Sequence, residues 1–175
     1  METKKSPARI FLVLVPHRDI RLVLRRYSET LFEKGFSGAY LFPWVAPLAE
    51  VPEPLTNEEL KQLIGEINRE REKINTQGAD VVPFPAAGEG MRLFGPKLAC
   101  LWRLVHEVNP FSPTVLGSCL LSENEDISAI PPPPQLSFRA AALATMSWQK
   151  IPAENNSIGY EWKIGKLHWL PKSLN

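Results

Sequence analysis

Cysteine is scarce in this chain, which excludes a fold held together by disulfide bonds. The 175 residues contain two cysteines, Cys100 and Cys119, and their positions match no spacing that is typical of a metal site. We therefore expect both to be buried, reduced thiols, and we predict that the protein uses neither a metal nor a cofactor.

An excess of charge of either sign is also missing. The formal net charge is +1, whereas nucleic-acid-binding domains are usually strongly basic and solvating tails strongly acidic. One predicted helix face nevertheless collects Arg18, Arg21, Arg25 and Arg26. We interpret it as a solvated face, with contact to RNA or to another anion as the alternative.

Long apolar runs are absent as well, which argues against a membrane protein. No window approaches the roughly 18 consecutive apolar residues that a spanning helix requires. The run from Ile10 to Val15 is too short for the apolar part of a signal peptide, and His17 and Arg18 interrupt it. We expect no membrane partner and a cytoplasmic location, and we interpret Arg9 to Pro16 as a strand buried on both faces.

Apolar residues are plentiful overall, at 44%, and their spacing predicts two helices around a real core. Asp19 stands where it can cap the first helix, and Gly35 is a natural stop at its end. The second helix begins with a capping box, in which Thr56 and Glu59 each satisfy a free backbone N–H group of the other.

Proline and glycine set the limits of the predicted strands in the middle of the chain. Residues 39–51 are apolar but contain Pro43 and Pro47, so this strand should be irregular or lie at an edge. Two short strands, near residues 80–84 and 91–94, should be joined by a turn.

The region after these strands is more ambiguous. Pro96 suits the first position of a helix, and the apolar residues of 98–108 fit either a short helix or, because some of them alternate, a strand. Residues 112–121 are interpreted as another buried strand. The run Pro131 to Pro134 predicts a polyproline II connector, with a docking site for a proline-binding module as the alternative.

The fold class follows from this order of elements. The closing segments, residues 137–148 and 160–170, predict an antiparallel pair of strands. We expect an α+β fold of two similar lobes, each an antiparallel sheet with packed helices. One domain should fill residues 1–175, with lobe one at about 9–76 and lobe two at about 77–172.

A family resemblance is carried by five segments, which in chain order are RIFLVLVPHRDIRLVL, FPWVAPLAEVPEPLTNEELKQL, FSPTVLGSCLL, FRAAALATMSW and GYEWKIGKLHWL. In this order they resemble the 2H phosphoesterase superfamily, which includes the 2′-5′ RNA ligase-like proteins and cyclic phosphodiesterases. The resemblance implies two lobes around a central cleft.

The family carries two His-x-Thr/Ser motifs, one per lobe, that face each other across the cleft. One imidazole acts as general base and the other as general acid on a cyclic phosphate or phosphodiester, while the hydroxyl groups hold phosphate oxygens. Alignment with the family motifs places Phe42 and Trp44 in the first motif and Thr114 and Leu116 in the second. Both motifs are therefore degenerate, and the resemblance implies that the ancestral reaction is lost.

The remaining histidines do not replace the missing pair. His17, His106 and His168 are each followed two positions later by a residue without a hydroxyl group. We interpret them as separate surface or hydrogen-bonded residues.

The leading functional hypothesis is a pseudoenzyme that binds a ligand or a protein partner of unknown identity. One alternative is a non-catalytic cleft for nucleotide or RNA, in which Phe42, Trp44, Thr114 and Leu116 are the candidate binding positions and an aromatic ring stacks on a base. Another is an active RNA 2′,3′-cyclic phosphodiesterase or 2′-5′ RNA ligase that uses other residues.

Overall fold

The computed structural model describes most of the chain. The described residues are 8–40, 44–51, 56–70, 76–84, 90–98, 113, 115–122, 125–152 and 158–169.

The architecture is α+β with two antiparallel sheets, as the sequence predicts. In chain order the strands and α-helices are β1 (Arg9–Pro16), α1 (Arg21–Glu33), β2 (Ala46–Glu50), α2 (Asn57–Glu70), β3 (Thr76–Pro83), β4 (Arg92–Leu98), β5 (Cys119–Leu121), β6 (Phe138–Pro152) and β7 (Ile158–Trp169). The first sheet has the order β2-β1-β6-β7 and the second has the order β3-β4-β5. Two short 3-10 helices flank α1 at Arg18–Ile20 and Ser37–Tyr40.

Strand β1 is one of the two inner strands of the first sheet. It pairs on one edge with β2 and on the other with β6, for example Phe11 with Glu50 and with Ala144. The predicted closing hairpin is confirmed, because β6 and β7 pair antiparallel. These two strands come from the second predicted lobe but join the sheet of β1, so sheet membership does not follow the predicted division of the chain near residue 76.

From Phe11 onward both faces of β1 are buried, as its continuous apolar run predicts, whereas Ile10 at its start is exposed. Leu12 and Leu14 point to one side, where Leu24 of α1 and residues Ile64 and Ile67 of α2 cover the sheet. The alternate residues of β1 point to the other side, where the first sheet packs against the second. This second cluster includes Phe11, Val13, Val15, Phe84, Leu93 and Leu120.

Helix α1 also contacts the outer face of the second sheet. Its residues Tyr27 and Leu31 pack in a third cluster with Phe94 of β4 and with Cys119 and Leu121 of β5. Leu24 of the same helix belongs to the first cluster. Helix α1 therefore packs against residues of both sheets.

The two ends of α1 differ in how well the sequence predicts them. Gly35 follows the helix with φ +97°, and the Phe36 N–H donates to the Leu31 carbonyl at 3.1 Å, so the predicted glycine stop is confirmed. The predicted Asp19 cap is wrong. Asp19 lies inside the preceding 3-10 turn, and Ile20 occupies the cap position of α1 without a side-chain hydrogen bond.

The capping box of α2 is confirmed. The Glu59 carboxylate accepts hydrogen bonds from the Thr56 N–H at 3.0 Å and from the Thr56 hydroxyl at 2.9 Å. The Glu59 N–H donates to the Thr56 hydroxyl oxygen at 3.3 Å. These bonds favour the ionised carboxylate and hold the pKa of Glu59 below its ordinary value of 4.5.

Pro47 and Pro96 both lie within strands, and the sequence predicts the setting of only one of them. Pro47 lies in β2, at the edge of the first sheet, where the pairing with β1 is irregular. Pro96 does not begin a helix, because it lies within β4, the central strand of the second sheet. Residues 99–108, the rest of that predicted helix or strand, lie outside the described residues.

The proline run after β5 is anchored to α1. The Tyr27 hydroxyl donates to the Pro131 carbonyl at 2.8 Å. Residues 131–137 have no helix or strand assignment, and they lead the chain from the second sheet back to β6 in the first.

Two glycines allow the chain to approach residues 115–121 closely. A Cβ atom on Gly95 would overlap the backbone carbonyl of Leu116, and one on Gly38 would overlap the backbone carbonyl of Leu120. Backbone atoms cannot move aside as flexible side-chain ends do, so these two positions require glycine.

Replacing Gly95 by alanine should therefore destabilise the protein by about 3 kcal/mol, the upper part of the range for overpacking of a core. Urea unfolding followed by circular dichroism measures this change. Gly65→Ala is the matched control, because Gly65 lies within α2 with open space around its Cβ position. That variant should gain about 0.5–1 kcal/mol. Equal effects of the two substitutions would contradict the close approach.

Removing the cap of α2 with Thr56→Ala should lower stability by about 1 kcal/mol near neutral pH. The lowered pKa of Glu59 means that its contribution is present above the unfolded pKa and lost as pH falls through the folded one. The difference in melting temperature between wild type and variant should therefore shrink below a pH of about 4. Thr30→Ala in α1, where the hydroxyl donates to the Arg26 carbonyl, is the control and should be close to neutral. A difference that grows in acid would contradict this assignment.

Candidate functional site

The two segments that the resemblance assigns to the family motifs are in direct backbone contact. The Gly117 N–H, just after the second motif, donates to the Val45 carbonyl, just after the first, at 3.0 Å. Of the four candidate positions, Trp44 and Leu116 are described, whereas Phe42 and Thr114 lie outside the described residues. The structure therefore brings the two motif segments together and fixes the surroundings of one residue from each.

Leu116 is a core residue. Its exposed fraction is 0%, and it belongs to the cluster between the first sheet and the helices, with Leu48 and Ile67. Its N–H donates to the Pro96 carbonyl at 3.1 Å, and its own carbonyl lies against Gly95. The side chain at this position contacts protein on all sides, so it does not line an open site.

Trp44 is half-buried and packs against the same cluster. The two described motif positions thus contribute to one hydrophobic core. Burial of a large apolar side chain such as that of Leu116 stabilises a fold by about 2 kcal/mol. Exposing Leu116 to a ligand would lose this stabilisation. Part of Trp44 remains exposed, and within this described pair it is the only surface that a ligand could touch.

The three histidines are not assembled with the motif segments by any contact among the described residues. His17 is exposed in the turn after β1, where its backbone N–H donates to the Ser137 carbonyl at 3.1 Å. The backbone of His168 lies in β7, opposite Leu143 of β6. His106 lies outside the described residues. Within the described part of the chain, no three residues among histidine, cysteine, aspartate and glutamate are grouped as a metal site would require.

Cys119 and Tyr27 are titratable groups in the core. Cys119 is buried and free, as the sequence predicts, and burial followed by the nearby charge of Glu125 raises the pKa of its thiol to about 12. Burial also raises the pKa of Tyr27 above its ordinary value of 10, and the Cys119 charge adds to this effect. Burial therefore favours the protonated form of both groups near neutral pH, which disfavours a role as nucleophile or base.

An arginine that sequence patterns do not single out organises the loop after β5. Arg92 of β4 donates from Nη2 to the carbonyls of Ser122 at 2.7 Å and Glu125 at 3.1 Å. The Glu125 carboxylate accepts from the Ser122 N–H at 2.7 Å, so it closes the loop on itself. These bonds hold the residues after β5 against β4, so the role of Arg92 is structural. An isolated arginine in a strand carries no sequence signal for such a role, because its partners are backbone atoms distant in sequence.

A search of protein-family models, curated proteins and solved structures finds no match to this chain. Among the described residues, neither α1 nor α2 has the length and apolar character needed to cross a membrane.

The buried thiol gives a direct test of the core around β5. In a Cys100→Ser background, Cys119 should not react with the thiol reagent DTNB at pH 8 until the protein unfolds, because its thiolate is scarce and its sulfur inaccessible. The measurement follows absorbance with and without urea. Rapid labelling of the folded protein would contradict the described burial of β5.

Proposed function

We propose that this chain is a 2H phosphoesterase-like pseudoenzyme, whose two motif segments have become part of the core and which acts by binding a partner. The observation that carries the proposal is the complete burial of Leu116, where the family has a phosphate-gripping hydroxyl residue. The two sheets and the contact between the motif segments are compatible with two lobes that meet at an ancestral cleft.

The chemistry of the motif positions supports the loss of catalysis. Acid–base catalysis on a phosphodiester requires two groups that can exchange protons near neutral pH, both within reach of one phosphate. Phenylalanine, tryptophan and leucine have no such group, and a threonine hydroxyl is neither an acid nor a base in this range. Leu116 also belongs to an apolar cluster with Leu48 and Ile67, in which a phosphate oxygen would be poorly solvated.

A second candidate function, nucleotide or RNA binding without turnover, is favoured by one observation. Trp44 keeps part of its surface exposed, and stacking of a base on an aromatic ring needs no catalytic group. In this alternative Trp44, with Phe42 and Thr114, would line what remains of the cleft. The third alternative, an active phosphodiesterase or ligase, requires acid–base groups that are not in the motifs.

One experiment separates these functions. The purified protein is screened by thermal shift and by product analysis against 2′,3′-cyclic nucleotides, mononucleotides, NAD, and short 2′-5′- and 3′-5′-linked RNAs. A ligand at a hundred times its Kd would raise the melting temperature by roughly 5–10 °C. Our proposal expects no turnover and no saturable shift.

Two variants show where any bound ligand sits. Trp44→Ala removes the exposed indole, and Leu143→Ala is its matched control, because Leu143 is also half-buried against the same cluster but lies in β6. A shift lost in Trp44→Ala and kept in Leu143→Ala would replace our proposal with the nucleotide-binding function. Turnover of a cyclic nucleotide would replace our proposal with the third alternative, an active phosphodiesterase or ligase.

A further inference from the structure

Helix α1 and the turn before it present a surface that combines cations with apolar side chains. Arg18, Arg21, Arg25 and Arg26 are all exposed. Between them, Leu22 is 58% exposed and Val23 is 44% exposed. We call these six residues the α1 basic face.

The apolar residues of this face are surrounded by arginines. On a helix, residues three or four positions apart are neighbours, so Leu22 lies one turn from Arg18, Arg25 and Arg26. Val23 is likewise one turn from Arg26. Among the described residues, three of the five exposed large apolar side chains are on α1. Single exposed apolar side chains are common, but a concentration on one element is a feature of interaction surfaces.

Apart from Arg25, the arginines of this face make no described side-chain contact that stabilises the helix. The first turn of α1 has no acidic residue and begins with Arg21, although the helix dipole disfavours cations at that end. Arg25 pairs with Glu29 at 3.3 Å. For Arg18, Arg21 and Arg26, the structure shows no side-chain hydrogen bond or ion pair to another described residue. These three cations are therefore available to an anionic partner.

We infer that the α1 basic face binds an acidic, amphipathic segment of a partner protein. Guanidinium groups donate paired hydrogen bonds to carboxylates, which gives the charge complementarity. Leu22 and Val23 favour a protein among the possible anionic partners. The apolar side chains of a protein segment would cover Leu22 and Val23 and remove them from water. A phosphate backbone would neutralise the arginines but leave the apolar pair hydrated.

This interaction is distinct from the motif segments and goes beyond the proposed function. It uses the exposed side of α1, whereas Leu116 and Trp44 belong to the core on the other side of the helix layer. Nucleotide binding at Trp44 and peptide binding at the α1 basic face can therefore succeed or fail independently.

The test uses fluorescence anisotropy with three labelled probes. They are an amphipathic helical peptide built from Glu and Leu, the same peptide with Lys in place of Glu, and an oligouridylate RNA. The full-length protein should bind the acidic peptide, not the basic one, and binding should weaken as salt rises.

The main variant carries Arg18→Glu and Arg21→Glu. It should weaken the acidic peptide's binding by at least about tenfold, while the melting temperature stays the same or rises, because both new carboxylates lie near the N-terminus of α1. A loss of binding in this variant cannot therefore be assigned to unfolding. Leu22→Ser should also weaken binding, by about threefold or more.

The matched control carries Lys61→Glu and Arg69→Glu, two exposed cations on α2, and changes the net charge equally. It should change the peptide's Kd by less than about twofold. Absence of peptide binding, equal losses in both double variants, or no effect of Leu22→Ser would overturn the inference. Arginine-dependent binding of the RNA alone would also overturn it and would assign the face to nucleic acid.

Discussion

The structure depends on one short segment, residues 115–121, that is shared between its two sheets. The N–H groups of Leu116 and Ser118 donate to the carbonyls of Pro96 and Phe94 in β4, whereas the intervening Gly117 donates to Val45, just before β2. Successive amides thus point to opposite sheets. Because a buried amide without a partner costs about 1–3 kcal/mol, neither sheet can separate from this segment without a large loss of stability.

Local features of the sequence predict the local features of the fold. The apolar run of β1, the Thr56–Glu59 capping box and the glycine after α1 each act within a few residues, so their patterns are complete in the sequence. The prediction at Pro96 is wrong because proline is also common at the first position of a helix. In β4 it is tolerated since its carbonyl, rather than an N–H group, receives the bond from Leu116. That bond joins residues whose proximity no local pattern encodes.

The candidate site is also predicted only in part by the sequence. The resemblance assigns residues to the proposed motif positions, and the side chains it assigns there are ones that do not transfer protons near neutral pH. It does not reveal that Leu116 faces the helices rather than a cleft, because a leucine in an apolar segment is compatible with either face. The exposure of Val23 is similarly hidden, since Val23 is at helical spacing with Ile20 and Tyr27 and only the position of the sheets decides which side of α1 is covered.

The pairing of β1 with β6 has a consequence for synthesis on the ribosome. Phe11 pairs with Ala144, so one edge of β1 has no native partner until β6 has been translated. Until then the nascent protein carries an open, apolar strand, which is the kind of edge that other chains can pair with. Completion of the first sheet therefore follows the synthesis of β6, and before that step β1 can pair with strands of other chains.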